Sequence, residues 1–407
     1  MATHLSNCPS GGRIFSLTVL GGVLAVLAGC GGPVDRETAS PAPVGQPTSA
    51  PAPADVSGIL EPIRERYRLP ALAAVVLQGD RITMAGAVGV RKLGSPEEVT
   101  IDDRFHIGSD TKAMTATLCA LLVEEGKLAW TSTIAEVFPE LADSMDPDYR
   151  GVTLEQLLAH RGGTPADLDA GGLWARLWLR IGTPTEQRRT LLEGVLTKPP
   201  AVKPGTKFLY SNAGYAIAGA MAEKVTGEAW EDLMRKRLFG PLGMTSAGFG
   251  PPGTAGRVDE PWGHAVRGDK LVAVEPGVLA DNPPAIGPAG TVHVALGDWA
   301  KFIALHLRAA QGRARLLKPE SFLKLHTPPE GQDYALGWGV TSRPWGGRVL
   351  THAGSNTMWY AVVWVAPEKD FAVLVATNAG GDEAAKACDE AAGALVRRVV
   401  APEKPTE

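Results

Sequence analysis

Three short groups of residues are of types and in an order that could carry out serine acyl transfer. They are Ser109-Asp110-Thr111-Lys112, Tyr210-Ser211-Asn212 and His352-Ala353-Gly354. A serine hydroxyl is a weak nucleophile at neutral pH, so it needs a neighbouring base and donors that stabilise the negative charge formed on the substrate oxygen. Together, the three groups predict a nucleophile, a base, a proton-transfer group and polar substrate ligands that meet in one cleft.

The S-x-x-K pattern at 109–112 has to be separated from chance matches. One such pattern is expected roughly once in a chain of this length, and this chain has a second, Ser321-Phe322-Leu323-Lys324. That second copy follows Lys318-Pro319-Glu320, which predicts the start of a short surface helix with Phe322 and Leu323 packed inward. We interpret it as structural.

Ser109 instead follows Gly108 and opens a segment that is apolar nearly all round and stops at Gly126. Such a segment predicts a central, buried helix. Residues three apart in its first turn share one face, so Ser109 and Lys112 would both point into a cleft. Burial and the positive end of the helix disfavour an ammonium group, which predicts a lowered pKa for Lys112 and an amine able to accept the serine proton. A capping serine beside a solvated lysine is the alternative for this motif alone.

Tyr210 and Asn212 form the only Y-x-N pattern in the chain. A tyrosine beside a lysine could pass a proton between the serine and the leaving group, and an asparagine amide could hold the substrate carbonyl. Taken alone, the triplet is more typical of a turn, because Asn favours turns and Tyr fills cores. Its coincidence with a well-placed S-x-x-K favours the catalytic interpretation.

His352 is selected by its position, because [K or H]-x-G also occurs at 92–94, 160–162 and 203–205. It is predicted to end a strand shortly before an apolar run that begins at Trp359. Gly354 would allow a close backbone approach there, and the N–H of Ser355 could complete an oxyanion hole with the N–H of Ser109. A histidine that caps a strand is the alternative.

The elements that must position these residues are strands near both ends of the chain and helices between them. Apolar runs bounded by turn residues predict strands at 72–77, 81–90, 334–340, 348–352, 359–365 and 371–377, and helical spacing predicts helices at 58–67 and 382–399. We predict an α+β fold in which an antiparallel sheet, formed by the N- and C-terminal segments, is flanked by helices. A mainly helical subdomain at about 111–285 is inserted, and its junction with the sheet forms the cleft.

The first residues are predicted to lie outside the fold. Arg13 precedes an apolar run at 14–26, which is roughly 13 residues long and shorter than the ~20 that a spanning helix needs. This pattern is typical of a secretory signal peptide, here at 1–29. Leu27-Ala28-Gly29-Cys30 resembles a bacterial lipobox, which predicts lipid attachment at Cys30. A signal peptide with an unmodified cysteine is the alternative.

These features predict an exported protein that is lipid-anchored on the periplasmic side of a bacterial membrane. Gly31, which is not acidic, favours the outer membrane in a Gram-negative cell. Residues 30–56 are rich in Pro, Ala and Ser and predict a tether. The catalytic domain is predicted at 57–400, followed by a short tail at 401–407.

Composition excludes several classes of protein. The chain has 407 residues, a formal net charge of −4 and no basic run, which argues against nucleic-acid binding and favours a small-molecule or peptide substrate. The eight histidines show no metal-ligand spacing, so neither a metal nor a cofactor is predicted. Cys119 and Cys388 are predicted to be buried free thiols, although an exported protein could pair them. The oligomeric state is left open.

The chain resembles the serine β-lactamase-like family, which includes class C β-lactamases, DD-peptidases and related esterases, from about 58 to 399. Beyond the three motifs, the resemblance rests on Phe105-His106-Ile107-Gly108-Ser109, Leu122-Val123-Glu124-Glu125-Gly126-Lys127-Leu128, Leu154-Glu155-Gln156-Leu157-Leu158-Ala159-His160 and Pro204-Gly205. It implies Ser109 as the acyl-forming nucleophile, Lys112 as its base and Tyr210 as proton shuttle. It also implies Asn212 as a substrate ligand and His352 as part of the cleft lining.

Departures from the family pattern guide the functional prediction. Lysine is usual at position 352 in β-lactamases and transpeptidases, whereas histidine there is similar to the esterase and aminopeptidase branches. His160-Arg161-Gly162-Gly163 and Gly287-Pro288-Ala289-Gly290 replace the usual His-Thr-Ser-Gly and Gly-Gly-Leu. We predict a serine hydrolase of the esterase or peptidase branch that cleaves an ester or amide through an acyl-serine intermediate. The alternatives are a β-lactamase or D-alanyl-D-alanine carboxypeptidase, and a non-catalytic receptor for peptidoglycan fragments or a partner protein.

Overall fold

The structure is a computed structural model that describes residues 51–400, except the side chain of Ala170. The predicted signal peptide, Cys30, most of the tether and the tail at 401–407 lie outside the described residues. Within 51–400, no helix is both long enough and apolar enough to cross a bilayer.

The largest sheet has seven strands in the order β1-β3-β2-β12-β11-β10-β9. The strands are β1 (Ala54–Asp55), β2 (Ala71–Gln78), β3 (Arg81–Gly89), β4 (Arg104–His106), β5 (Gly248–Phe249), β6 (Gly263–Arg267), β7 (Lys270–Val274), β8 (Val292–Ala295), β9 (Gly339–Arg343), β10 (Gly347–Ser355), β11 (Tyr360–Ala366) and β12 (Phe371–Thr377). Neighbours in the large sheet are antiparallel except β1 and β3, which are parallel. The sheet is thus built from both ends of the chain, as predicted.

Helices cover both faces of this sheet and fill the segment between its two halves. They are α1 (Ser57–Arg66), α2 (Thr111–Glu124), α3 (Ile134–Val137), α4 (Pro147–Arg150), α5 (Leu154–Leu158), α6 (Leu173–Trp178), α7 (Pro184–Leu196), α8 (Asn212–Thr226), α9 (Trp230–Leu233), α10 (Gly240–Leu242), α11 (Gly287–Gly290), α12 (Leu296–Ala310), α13 (Pro319–His326) and α14 (Asp382–Val400). A π-helical stretch, Met234–Phe239, joins α9 to α10, and a 3-10 turn, Gly108–Asp110, precedes α2.

Strand β2 shows why the sheet is buried on both faces. Its side chains alternate between two hydrophobic clusters, with Val75 and Leu77 in the cluster that contains α2 and α12, and Ala74 and Val76 in the cluster that contains α1 and α14. A strand covered on both faces has a continuous apolar sequence rather than an alternating one. This explains the unbroken apolar run from which the strand was predicted.

The structure corrects four details of the sequence predictions. Residues 334–338 do not form a strand, because the loop turns at Gly337 to pack on the backbone of α2, and the hairpin strand begins at Gly339. The tether ends before Ala54, because β1 pairs with β3 and Val56 is 3% exposed. The hairpin β6–β7 lies inside the mainly helical segment. Leu323 is not packed inward but is 66% exposed, whereas Phe322 is buried.

A buried ion cluster ties the helical segment to the loop that precedes α11. Arg188 on α7 is 0% exposed and donates to Glu223 at 2.5 Å and to Glu231 at 2.7 Å. Its Nη1 also donates to the carbonyl of Pro284 at 3.0 Å. Removal of one member of a buried ion pair leaves an uncompensated charge and commonly costs about 3–5 kcal/mol of stability. The cluster therefore fixes the segment that leads to Ala289, which contacts the lysine of the site.

The two cysteines of the described chain are free and buried. Cys119, on α2, and Cys388, on α14, lie in the two hydrophobic clusters on opposite faces of the sheet. Burial raises the pKa of the Cys119 thiol to about 12, so this thiol is unreactive at neutral pH. The question of a disulfide, which the sequence left open, is settled in favour of two free thiols.

Candidate active site

Ser109 and Lys112 lie together at the start of a buried helix. Ser109 is in the 3-10 turn that leads into α2, and every residue of α2 over 111–122 is buried. The Nζ of Lys112 is 3.0 Å from the Oγ of Ser109. The three-residue spacing therefore brings an amine against a hydroxyl, as the sequence predicts for this pair.

The other partners of Lys112 accommodate an uncharged amine. Its Nζ also lies 2.8 Å from Asn212 Oδ1 and 2.7 Å from the carbonyl oxygen of Ala289. Both oxygens can only accept, so an uncharged amine donates its two hydrogens to them and presents its lone pair to the Ser109 hydroxyl. Burial lowers the pKa of Lys112 well below its usual value, against an opposing effect of Asp110. Burial therefore favours the free amine, and the three contacts of Nζ accommodate that form.

Tyr210 and Asn212 meet this pair from the start of α8. Ser211 between them caps the helix, because its Oγ accepts from the N–H of Gly214 at 3.3 Å. Burial raises the pKa of Tyr210 to about 12, although a hydrogen bond with Ser109 acts in the opposite direction. The Lys112 Nζ lies 4.7 Å from the centre of the Tyr210 ring. At neutral pH Tyr210 is therefore a phenol that can donate a proton, beside both Ser109 and Lys112.

His352 lies inside β10 rather than at its end, and it is 8% exposed. Its Nδ1 is 2.9 Å from the carbonyl of Ala353, so Nδ1 carries the hydrogen, and Nε2 accepts from the hydroxyl of Tyr334 at 3.0 Å. Burial is the main cause that lowers the pKa of His352 to about 3. The ring is therefore uncharged and its nitrogens are occupied. It forms part of the wall and does not supply a cation for a substrate carboxylate.

Gly354 brings β10 against the turn that holds the nucleophile. A Cβ at Gly354 would overlap the carbonyl oxygen of Ile107 and lie 2.6 Å from the Ser109 nitrogen, and a Cβ at Gly108 would overlap the nitrogen of Ser355. The two backbones thus approach more closely than any side chain would allow. This contact brings Ser109 and Ser355, whose N–H groups are the predicted oxyanion donors, onto adjoining backbone segments.

Several residues of the site were not identified from the sequence. His160 has φ of +56°, accepts from the N–H of Ser211 at 3.1 Å, and stacks on Tyr210 with ring centres 4.2 Å apart. Its ring also contacts Tyr215 and Tyr334. In the sequence, His160 stands in a family-like stretch, in an H-x-G match and in a variant loop, and none of these predicts a role for its ring. Tyr334 had no signal, because its partner in β10 is defined only by the folded chain.

Asp110 is the most isolated polar group at the site. It is 2% exposed, and neither carboxyl oxygen has a hydrogen-bond partner within 51–400. The nearest cation-forming group besides Lys112 is His352, with Nδ1 3.9 Å from Oδ1. Burial raises the pKa of Asp110 well above its usual value, although Lys112 opposes this. If this carboxyl group is uncharged, no negative charge beside Lys112 stabilises the protonated form of the lysine.

A small cavity of about 200 Å³ opens beside Asn212. Leu168, Trp174 and Ile286 give it an apolar lining, and the exposed Asp167 and Asp169 lie at its edge. Within 51–400, no three or more His, Cys, Asp or Glu side chains are grouped so that they could hold a metal ion. The polar groups next to Ser109 are thus an amine, a phenol and an amide.

Comparison with known proteins gives consistent matches. The family described as Beta-lactamase matches residues 56–397. Penicillin-binding protein 4 from Amycolatopsis lactamdurans is 29% identical over 332 residues, which cover 79% of this chain and 84% of that protein. Unguisins hydrolase from Aspergillus campestris is 25% identical over 339 residues, which cover 80% of this chain but only 61% of that protein.

A solved structure shares the fold. The octameric penicillin-binding protein homologue from Pyrococcus abyssi superposes with a TM-score of 0.69 at 23% identity, and the match covers 83% of this chain and 76% of that chain. At this identity the likeness concerns the fold alone. It confirms the predicted α+β architecture, with helices on both faces of a sheet and an inserted helical segment.

Proposed function

The chain belongs to the Beta-lactamase family and is a serine hydrolase, and on that premise we propose that Ser109 forms a covalent acyl-enzyme with an ester or amide substrate. In the proposed acylation, Lys112 accepts the Ser109 proton while Oγ attacks the substrate carbonyl carbon. The N–H groups of Ser109 and Ser355 hold the resulting oxyanion. Tyr210 donates a proton to the leaving group as the carbon–heteroatom bond breaks. Asn212 orients the substrate carbonyl group.

In the second half of the reaction, a water molecule replaces the leaving group. Water attacks the acyl carbon, its proton passes to the tyrosine and lysine pair, and Ser109 Oγ departs with a proton to restore the enzyme. The observation that carries this proposal is the 3.0 Å contact of the buried Lys112 Nζ with Ser109 Oγ. When the amine is uncharged, Asn212 Oδ1 and the carbonyl of Ala289 take its two hydrogens, and its lone pair is left for Ser109. A receptor that only binds its ligand has no use for an uncharged, buried lysine, so this observation disfavours the non-catalytic alternative.

We assign the enzyme to the esterase or peptidase branch. An uncharged His352 does not offer the charge that a lysine at this position gives to the carboxylate of a β-lactam or a D-alanyl peptide. The small cavity beside Asn212, with both apolar and polar lining residues, suits a compact acyl or leaving group. The relatives include a penicillin-binding protein and a hydrolase of unguisins by name, which supports hydrolysis of a small molecule as the reaction class. β-Lactamase or D-alanyl-D-alanine carboxypeptidase activity is the second candidate.

A fluorophosphonate probe and two chromogenic substrates test this proposal. We expect the probe to label one residue, with the adduct on the peptide that contains Ser109 by mass spectrometry. We also expect p-nitrophenyl acetate to be hydrolysed with a kcat/KM about 100-fold or more above that for nitrocefin, in line with the loss of a charged contact. An adduct on another serine would contradict the assignment of the nucleophile. Faster nitrocefin turnover would favour the β-lactamase alternative.

We also propose that the mature protein is exported and anchored by lipid on Cys30, with residues 31–53 as a tether. The support is the lipobox-like sequence and the apolar run before it. Expressed in a bacterial host, the full chain is expected in the membrane fraction, from which detergent but not high salt releases it. Cys30→Ala should abolish incorporation of labelled palmitate, whereas Cys8→Ala should leave it unchanged. A wild-type chain that takes up no label would refute the anchor.

A further inference from the structure

A buried chain of hydrogen bonds behind the nucleophile begins at His106, the last residue of β4. The ring is 0% exposed, and its Nδ1 accepts from the N–H of Gly108 at 3.1 Å. Only an uncharged imidazole can accept at Nδ1, so the ring hydrogen is on Nε2. The ring therefore holds the backbone of the residue that directly precedes Ser109.

Asp281 receives that hydrogen and two more. It is 2% exposed, and its Oδ2 lies 3.0 Å from His106 Nε2. Its Oδ1 accepts from the side-chain amide of Asn356 at 3.0 Å and from the N–H of Asn282 at 2.8 Å. Three donors converge on this carboxyl group, so both of its oxygens act as acceptors. Arg180 holds the same loop through the carbonyl of Asp281 at 2.6 Å.

Asn356 carries the chain to β10. It is 3% exposed and directly follows Ser355, and its Oδ1 accepts from the N–H of Met358 at 3.2 Å. One end of the chain thus fixes the residue before Ser109, and the other end fixes the residue after Ser355. The chain thus holds the direct neighbours of Ser109 and Ser355, whose own N–H groups form the proposed oxyanion hole.

We propose that His106, Asp281 and Asn356 are positioning residues that hold the N–H groups of Ser109 and Ser355 at the spacing needed by a tetrahedral oxyanion. This inference rests on the proposed function, because it concerns the transition state of that reaction. None of the three side chains needs to touch substrate. Their effect is exerted through the backbone, at a place where glycines leave the two segments in direct contact. Preorganised donors stabilise the tetrahedral state more than the planar ground state. If the two N–H groups lose their fixed spacing, the tetrahedral state should therefore be destabilised more than the ground state.

The test compares wild type with Asp281→Asn. In wild type both carboxyl oxygens of Asp281 accept hydrogen bonds, whereas in the variant one of them is replaced by an amide nitrogen, which cannot accept. Active sites are counted by fluorophosphonate titration. For p-nitrophenyl acetate we expect kcat per titrated site to fall about 10-fold, with KM changed less than about twofold. This fall in kcat is smaller than the 10²–10³-fold that complete loss of an oxyanion donor costs, because the donors are displaced rather than removed. Phenylboronic acid, which binds serine as a tetrahedral anion, should bind about 10-fold more weakly. Binding of acetate, a planar product, should be unchanged.

Further variants separate positioning from stability. Asp298→Asn removes another buried carboxylate, which is 8% exposed and is bonded to Ser246 and Lys301 rather than to the residues beside Ser109. It should lower the melting temperature without altering the affinity for phenylboronic acid. If Asp281→Asn does not fold, Asn356→Ala is expected to give the same loss of kcat and boronate affinity. His106→Asn, which keeps an acceptor for the Gly108 N–H, should retain more kcat than His106→Phe.

The two levels of inference fail in different ways. If wild type neither reacts with the probe nor hydrolyses the ester, the proposed function fails and this inference fails with it. If wild type reacts while the Asp281 and Asn356 variants bind phenylboronic acid as tightly as it does, the positioning role alone is overturned. A fall in melting temperature with unchanged kcat per titrated site would likewise overturn it, because a merely structural role predicts that result.

Discussion

Ser109→Ala is expected to lower kcat/KM for p-nitrophenyl acetate by at least about 10⁴-fold, because removal of the nucleophile of a serine hydrolase leaves only binding and oxyanion stabilisation to assist attack by water. Covalent labelling by a fluorophosphonate should be abolished in the same variant. The fold should be unaffected, since the Ser109 side chain is only partly buried and its Oγ contacts the site rather than the core. Steady-state kinetics and gel-based labelling measure both effects.

The chain provides a matched control in its second S-x-x-K sequence. Ser321 on α13 donates its hydroxyl to Glu124 at 2.5 Å and lies outside the site. Ser321→Ala should therefore change kcat/KM by less than about twofold, as is usual for a substitution far from the reacting atoms. Equal labelling of wild type and Ser109→Ala would show that the nucleophile is elsewhere. Loss of activity in Ser321→Ala alone would contradict the assignment of roles to the two copies.

The strands at the two ends of the chain were predictable because a strand that is buried on both faces has a continuous apolar sequence. The runs that became β2, β11 and β12 are short, apolar and bounded by turn residues. The hairpin β6–β7 carries a similar signal, since Gly268-Asp269 separates two short apolar runs, but half-exposed valines weaken its alternation. The pattern at 334–338 was apolar enough for a strand. In the structure this segment is a loop instead, because Gly337 packs against the backbone of α2.

The candidate site also contains contacts between residues close in sequence and contacts between residues far apart in sequence. The pairing of Ser109 with Lys112 follows from helical spacing alone, so the sequence could predict it. The residues that support this pair come from distant parts of the chain. His106 meets Asp281 across 175 positions, and Lys112 meets the backbone of Ala289 across 177. No periodicity or local motif encodes such contacts, because they depend on how the inserted helical segment folds back on the sheet.

Replacement of Lys112 should reduce kcat/KM about 10³-fold or more while leaving substrate binding largely intact, since a positioned general base commonly contributes 10²–10⁴-fold. Lys112→Met and Lys112→Arg together separate two roles. Both remove the base, but arginine keeps a permanent positive charge. If the lysine acts as a free amine, both variants are inactive. If it acted as a cation that stabilises the oxyanion, the arginine variant would keep much of the activity.

The pH dependence follows from the direction of the Lys112 pKa. Because burial lowers that pKa well below 10.5, the free amine is the form that the fold favours. The kcat/KM of wild type should be constant above the lowered pKa and fall tenfold per pH unit below it, as the amine becomes protonated. A rise in kcat/KM only above pH 10 would mean that the lysine keeps its usual pKa, and the proposed base would then be wrong.

Stability gives an independent check on the same group. Between the lowered pKa and 10.5, Lys112 is protonated in the unfolded chain but not in the folded one, so the unfolded state binds more protons and the free energy of unfolding rises with pH. Methionine removes this dependence. The free energy of unfolding of Lys112→Met, relative to wild type, should therefore increase as the pH falls from 10 to 7, by at most about 1.4 kcal/mol per pH unit. Urea unfolding at several pH values measures it. Parallel curves for the two proteins would mean that Lys112 stays charged in the fold, and a charged lysine has no lone pair to offer Ser109.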